Sequence, residues 1–257
     1  MNEHQVKIDT NKCIGCGFCI KTCAAHNIKL NSNKAETIFN DCIMCGQCAA
    51  ICPKSAISIH GFEQEISQKH EIAVLNPQQV LDVIRFRRSI RHFKDKKIPN
   101  EILDQILEAG RLTHTAKNRQ DVSFIVLDKE KDVLESMAVK LFRKLKPIAN
   151  VFSTMTRHNE INNHFFFFQA PIVIVILAED KVNGLLAAQN MEFVAEANGL
   201  GVLFSGFFTT AANTSIKIKK ALAIPKKKKV AMTLVLGYPD INYLRPAPRK
   251  EKQVKYM

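Results

Sequence analysis

The 257 residues are 46% apolar and 24% charged, a globular balance that rules out wholesale disorder and allows one or two domains with a large core. Lys and Arg total 37 against 24 Asp and Glu, and the resulting +13 points to an anionic partner, nucleic acid first among them. The first ten residues hold no apolar h-region. The most apolar stretch, 165–178, is broken by Gln169 and Pro171 and is shorter than the ~17–25 residues of a spanning helix, so a soluble, cytoplasmic chain with no membrane contact is expected.

All eight cysteines lie between Cys13 and Cys52. Without a secretory signal, and with a long cysteine-free remainder, disulfides are not expected. Cys13, Cys16, Cys19 and Cys23 read C-x2-C-x2-C-x3-C, and Cys42, Cys45, Cys48 and Cys52 repeat the pattern 29 residues on, with Pro53 after the last. This is an internal duplication. Gly15, Gly17, Gly46 and Ala49 are small where backbone N–H groups would approach inorganic sulfide. Four thiolates per repeat suit a [4Fe–4S] centre. Two structural zinc sites are the alternative, but zinc ligands usually come as separated C-x2-C pairs. Across about residues 5–60 the segment resembles the bacterial two-cluster ferredoxins. In that arrangement the fourth Cys of each run ligates the other cluster, which assigns Cys13, Cys16, Cys19 and Cys52 to one cluster and Cys42, Cys45, Cys48 and Cys23 to the other. Cys23 is followed by Ala24 instead of proline, so a free amide is available to a cluster sulfur, which favours a raised potential.

Residues 61–75 read as a polar connector. Asn76-Pro77 is a helix start, with Asn as N-cap and Pro at the first helical position; Val80, Leu81, Val83, Ile84 and Ile90 supply its apolar face. Pro99 introduces a second helix carrying Ile102, Leu103, Ile106 and Leu107 at helical spacing. Residues 122–127 form a strand candidate, 172–177 a buried β-branched strand, 183–198 a helix ended by Gly199, and 229–236 a further strand stopped by Gly237-Tyr238-Pro239. Helices alternating with buried strands indicate an α/β or α+β layer fold.

Arg87-Arg88-Ser89-Ile90-Arg91-His92-Phe93, Asn118-Arg119-Gln120, Gly199-Leu200-Gly201, Gly206-Phe207, Leu236-Gly237-Tyr238-Pro239 and Pro248-Arg249-Lys250 together resemble the FMN-dependent nitroreductase family over roughly residues 78–250. The whole chain resembles its ferredoxin-fused members. The resemblance implies an α+β chain: a two-cluster ferredoxin-like domain at 1–60, a linker at 61–76, and an α-β-α nitroreductase-like domain at 77–257. Arg87, Arg88, Ser89 and Arg91 offer planar donors suited to the phosphate of FMN, and the resemblance places them there. It also implies Asn118 and Gln120 as contacts to flavin or ribityl polar atoms, Leu203, Phe204, Ser205 and Gly206 as backbone beside the flavin near N5, and Arg249 and Lys250 as returning to the phosphate.

Thr113-His114-Thr115 and Asp121-Val122 depart from the family's usual Ala-Pro-Ser and Pro-Trp. His114 is a candidate proton donor, with a solvated loop histidine as the plainer reading. The Gly199, Gly201, Gly206 spacing is not a dinucleotide fingerprint, and no Rossmann motif is visible. Lys226 to Lys229 read as a solvated loop, and Phe165 to Phe168 as core or dimer surface, with a lid also open. Two clusters at roughly −2 each and a flavin phosphate near −2 lower the charge to about +7, which weakens the case for nucleic acid.

The function implied is an FMN oxidoreductase that takes single electrons through two [4Fe–4S] clusters. It would reduce a small electrophilic acceptor, nitroaromatic, quinone or similar, from flavin N5. The external donor would be a reduced ferredoxin-type protein or NAD(P)H, and the family implies a homodimer. The alternative is an electron-transfer module that serves a protein partner and turns over no small molecule.

Overall fold

The computed structural model describes residues 5–39, 42–61, 75–152 and 154–257. Most of the 61–76 linker therefore lies outside the described residues. The described residues within Met1–Ala73, together with Thr115–Arg119, form one compact unit; those within Val74–His114 and Gln120–Met257 form the other.

The N-terminal unit is built twice over. β1 (Gln5–Ile8) pairs antiparallel with β4 (Ile57–His60), and β2 (Ile28–Asn31) with β3 (Lys34–Thr37). The β2–β3 hairpin turns on Ser32 and Asn33, both at positive φ (46° and 62°), the twist that a two-residue hairpin loop requires. Short helices α1 (Phe18–Thr22) and α2 (Gln47–Ala50) occupy equivalent places in the two repeats. Each starts from a left-handed glycine, Gly17 at φ 73° and Gly46 at φ 75°. The core of this unit is small: Ile28, Ala35 and Ile57 pack with the cysteines themselves. A unit so poor in apolar core needs support beyond burial.

The C-terminal unit contains α3 (Pro77–Phe86), α4 (Asn100–Arg111), β5 (Ser123–Leu127), α5 (Lys131–Phe152), α6 (Thr154–His158), β6 (Ile172–Ala178), α7 (Lys181–Ala197), β7 (Gly201–Phe204), α8 (Gly206–Thr214), α9 (Ile216–Ala221) and β8 (Lys229–Gly237). Its sheet runs β5-β6-β8-β7 with antiparallel neighbours. β6 is buried on both faces, and its period-2 alternation divides the side chains between two cores. Val173, Val175 and Leu177 join Leu134, Ala138, Phe208 and Ile218 on the face covered by α5, α8 and α9. Ile172, Ile174 and Ile176 join Ile106, Ala188 and Met191 on the face covered by α4 and α7. The result is the α-β-α sandwich expected.

Asn76 caps α3 as its sequence requires, accepting hydrogen bonds from the amides of Gln78 (2.9 Å) and Gln79 (3.4 Å). Among the described residues the apolar face of α3 is left open: Leu81, Val83, Ile84 and Phe86 are all exposed. Ile90, by contrast, is buried against Gly201, where a Cβ would lie 2.4 Å from the Ile90 side chain. Glycine at 201 thus lets the arginine-rich segment lie along β7. The strand β7 and the helices α5 and α8 are absent from the sequence-level elements. β7 is only four residues long and opens on glycine, and α5 carries Pro147 near its end.

Candidate functional site

The eight cysteines fall into two rings. One cavity of the N-terminal unit is lined by Cys13, Cys16, Cys19 and Cys52, the other by Cys42, Cys45, Cys48 and Cys23. Each ring therefore takes three thiols from one repeat and one from the other. The two repeats match in exposure as well: Cys16 and Cys45 are exposed, Cys19 and Cys48 buried. Backbone amides already point at sulfur. Asn27 N donates to Cys23 Sγ (3.3 Å) and Ala56 N to Cys52 Sγ (3.3 Å), equivalent bonds in the two repeats, while Met44 N donates to Cys42 Sγ (3.3 Å) and Ala35 N to Cys13 Sγ (3.4 Å). The amide of Ala35, with that of Gly15, holds the Cys13 thiol below its ordinary value. Burial pushes the Cys19 thiol up and the Cys48 thiol up to about 11, so metal has to displace their protons. Among the described residues no three Cys, His, Asp or Glu side chains converge closely enough for one metal ion. Hollow rings of four thiols with N–H···S donors suit an iron–sulfur cube better than a single zinc.

In the C-terminal unit, Arg87, Arg88, Ser89, Ile90 and Arg91 leave the end of α3 and run beside β7: Ile90 N donates to Val202 O (3.1 Å), and Ser89 bridges Val202. Leu203 and Phe204 end β7, and Ser205 and Gly206 follow it, so the arginine segment runs along the strand that carries the second set. Arg87 Nη1 bonds Glu192 Oε1 at 2.9 Å. The Glu192 side chain is only 1% exposed, and Gln189 Nε2 donates to its other oxygen at 2.7 Å. Burial pushes the Glu192 carboxyl up, and Arg87 pulls against that. The pair fixes one edge of the guanidinium and leaves its other N–H groups free to donate elsewhere. Arg88 lies over the Tyr243 ring (5.0 Å) and Arg91 over Phe168 (6.0 Å). Arg249 and Lys250 are exposed on the coil after β8.

Ser205 is buried; its amide donates to Thr233 O (2.8 Å) and its hydroxyl to Phe166 O (3.1 Å). Gly206, exposed at the start of α8, has open space where a Cβ would stand. A flat ring can approach backbone there, at the N-terminus of a nine-residue helix. The open backbone at the end of β7 and the arginine and serine donors of the segment that runs along that strand fit a phosphate-bearing flavin.

Phe207 follows and stacks on Phe165 (5.8 Å between centroids). The two rings, with Phe142, Leu145, Lys146 and Ile161, line a cavity of about 260 Å³. The run Phe165 to Phe168 proves to be divided: Phe166 and Phe167 are core, and Phe165 faces this cavity. Buried Glu135 shapes the turn by accepting from the amides of Phe166 (2.9 Å) and Phe167 (2.7 Å).

Asn118 ends the short 3-10 turn Ala116–Asn118 that follows α4. It groups with the N-terminal unit, where its Nδ2 donates to the carbonyls of Ile43 (3.1 Å) and Met44 (2.8 Å). Gln120, exposed, begins the second segment of the C-terminal unit. His114 is exposed on the loop after α4. Asp121 accounts for its departure from the family pattern: it is buried and accepts from Glu179 N (2.9 Å), Asp180 N (2.9 Å) and Asn183 Nδ2 (2.7 Å), tying β5 to the start of α7. Sequence reasoning missed Glu192, Glu135 and Asp121. The available signal was an acid among apolar helix neighbours, Met191 and Phe193 around Glu192.

Residues 84–238 match the model of the nitroreductase family. The chain belongs to that family. Residues 5–53 match a 4Fe-4S dicluster domain, so a two-cluster ferredoxin domain precedes the family domain. The FMN reductase (NADPH) of Bacillus subtilis is 28% identical over 196 residues, 68% of this chain and 72% of that protein. A nitroreductase of Desulfitobacterium hafniense, solved with bound FMN, superposes with a TM-score of 0.58 at 21% identity, covering 72% of this chain and all of that one. An FMN-dependent nitroreductase of Clostridium difficile gives 0.57 at 20% identity, covering 70% and all of the respective chains. Among the described residues no helix is long and apolar enough to cross a membrane.

Proposed function

We propose that this FMN-dependent oxidoreductase takes electrons one at a time through its ferredoxin domain and uses them to reduce an aromatic, electrophilic small molecule. When bound, the clusters supply single-electron transfer, and FMN supplies storage of two electrons and their delivery as a pair. The observation that carries the reading is the joining of two sites in one chain: two rings of four thiols, and an arginine segment laid along β7, the strand that leads to the open backbone at Gly206.

Cys13, Cys16, Cys19 and Cys52 hold one cluster; Cys42, Cys45, Cys48 and Cys23 hold the other. Arg87, Arg88, Ser89 and Arg91 hold the flavin phosphate, with Arg249 and Lys250 closing on it. Leu203, Phe204, Ser205 and Gly206 give backbone to the flavin edge, and Gln120 donates to its polar rim. The cavity walled by Phe142, Phe165 and Phe207, next to Gly206 in the chain, supports an aromatic acceptor, with Lys146 at its wall suited to a nitro or carbonyl oxygen. His114 is the exposed proton donor of this reading. The exposed apolar face of α3 supports a homodimer, a second copy covering Leu81, Val83, Ile84 and Phe86. The donor is a reduced ferredoxin-type protein or NAD(P)H, and thiolate ligation suits the cytoplasm.

The test is stopped-flow absorbance on anaerobically reconstituted protein carrying about eight iron and eight sulfide per chain. Cys16→Ser and Cys45→Ser, each matched to wild type for FMN content, should slow flavin reduction by a low-potential one-electron donor. Neither should slow oxidation of previously reduced protein by a nitroaromatic. Flavin reduction at the wild-type rate in both variants, with clusters lost, would remove the ferredoxin domain from the electron path. Failure of any small acceptor to oxidise reduced protein would favour the electron-transfer module instead.

A further inference from the structure

The two cysteine repeats correspond position by position at an offset of 29 residues, and the N-terminal unit keeps that correspondence around both rings. At the same offset β1 matches β3, and β2 matches β4. Cys16 and Cys45 are both exposed, and Cys19 and Cys48 both buried. Asn27 and Ala56, themselves equivalent, donate to the fourth cysteines Cys23 and Cys52 at the same 3.3 Å. Ligand number, the amide bond at the fourth sulfur and exposure are therefore matched between the rings. Of the levers that set a cluster's potential, local charge is the one left to separate them.

The rings differ in charge. Lys54 lines the cavity of Cys13, Cys16, Cys19 and Cys52. At the equivalent position of the other cavity stands Ala25. Lys34, half-buried on β3, donates from Nζ to Cys13 O on that same first ring. The repeat sets an uncharged residue, Gln5, at the equivalent position. Among the described residues lining the second cavity none is basic. Lys12 and Lys21 are exposed and line neither cavity, and Lys12 is paired with Asp9 at 3.8 Å. A [4Fe–4S] centre gains negative charge on reduction, so a cation beside it favours the reduced form. Ala24 acts in the opposite sense, because it brings the second ring an N–H where the first has Pro53. An amide dipole acts over hydrogen-bond distance, whereas a whole charge falls off only as 1/r and reaches the entire cube. Two ammonium groups outweigh one such amide.

We propose that Lys34 and Lys54 make the two clusters unequal: the cluster held by Cys13, Cys16, Cys19 and Cys52 is reduced first and keeps a single electron, and the cluster held by Cys42, Cys45, Cys48 and Cys23 fills second. Each filling step takes one electron from the external one-electron donor, which is oxidised by one unit, and no bond is made or broken. Two electrons fill the pair, the number that one flavin reduction uses. The proposal rests on the two-ring assignment and not on the route by which electrons reach FMN.

An EPR-monitored redox titration of the anaerobically reconstituted full chain tests this. The signals are assigned as those lost in Cys16→Ser and in Cys45→Ser, and the wild-type signal lost in Cys16→Ser should grow in first. Lys34→Gln and Lys54→Ala, which copy the residues of the other ring, together should make the first cluster about tenfold harder to reduce, a midpoint lower by ~59 mV for one electron. The second midpoint should move much less. Lys34→Arg and Lys54→Arg keep the charge and should keep the first midpoint, which separates charge from any loss of packing. Ala25→Lys leaves the first ring untouched and should raise the second midpoint, so the idea stays testable if Lys34→Gln fails to hold its cluster. A wild-type protein in which the second cluster fills first would overturn the proposal. So would two intact clusters whose midpoints ignore the charge-removing variants and Ala25→Lys alike. Iron and sulfide for a single cube per chain would overturn the ring assignment and the proposal with it. Absence of electron transfer from clusters to flavin would overturn the function proposed above, while the two midpoints would still decide whether the lysines set the order of filling.

Discussion

Arg87→Ala removes two things at once. Arg87 is a donor proposed for the flavin phosphate, and it is also the counterion of Glu192, whose side chain is 1% exposed and 2.9 Å away. Orphaning a buried carboxylate costs about 3–5 kcal/mol. At roughly 2–4 °C per kcal/mol for a domain of this size, the C-terminal unit should melt about 10 °C lower. Separately, loss of one charge-assisted contact, about 1.5–3 kcal/mol, should weaken FMN binding roughly tenfold to a hundredfold. The two effects part in the double variant Arg87→Ala/Glu192→Gln. In that protein position 192 no longer carries a charge that needs Arg87, so most of the melting temperature should return while FMN affinity stays low. The stability loss in Arg87→Ala should also shrink in acid. Burial already pushes the Glu192 carboxyl up, and without the guanidinium it rises further. The folded chain then binds a proton that the unfolded chain releases, so stability falls as pH rises between the two values and is regained on acidification. The assays are thermal melts across pH and FMN fluorescence titrations, with iron content confirming intact clusters. A double variant no more stable than Arg87→Ala would refute the ion-pair argument. Unchanged FMN affinity in every variant would place the phosphate elsewhere.

Asp121→Asn should destabilise the C-terminal unit by about 1–3 kcal/mol at neutral pH. Although burial acts to raise the Asp121 carboxyl, the bonds from Asp180 and Asn183 hold it below its ordinary value, so its contribution is present above the unfolded pKa and lost as pH falls through the folded one. Melts of wild type and variant should therefore converge in acid; a constant gap down to low pH would count against this. Glu196 is pushed up to about 7 by burial and by the neighbouring Glu192. Between the unfolded carboxyl value and that point stability should decline with rising pH, and Glu196→Gln should flatten the decline; an unaltered pH profile would show that the carboxyl does not titrate there. Ala24→Pro should be accommodated, since Cys23 at φ −75°, ψ 100° already has the extended backbone favoured before proline. By removing an N–H it should make one cluster's potential more negative, and unchanged potentials in a fully loaded variant would show that Ala24 does not donate to a cluster sulfur.

The parts of this protein legible in the sequence are those whose geometry is local. The two cysteine runs close on ligand spacings of a few residues, and their 29-residue repeat announces two equivalent cages. Asn76-Pro77 starts α3 through bonds spanning two and three residues, and the alternation of β6 divides its side chains between two cores without reference to what covers them. What the tertiary structure decided lies in pairings across long stretches of chain: Arg87 with Glu192 over 105 residues, Asn118 with Ile43 over 75, Asp121 with Glu179 over 58. No local periodicity encodes such a partner. A buried acid reads along the chain like any surface acid until packing removes its water, and only then does it need a specific cation or amide. Asn118 shows the same division from the other side. Its place in a motif is readable from the sequence, but which carbonyls its amide meets depends on how the segment 115–119 folds into a unit otherwise formed at the other end of the chain.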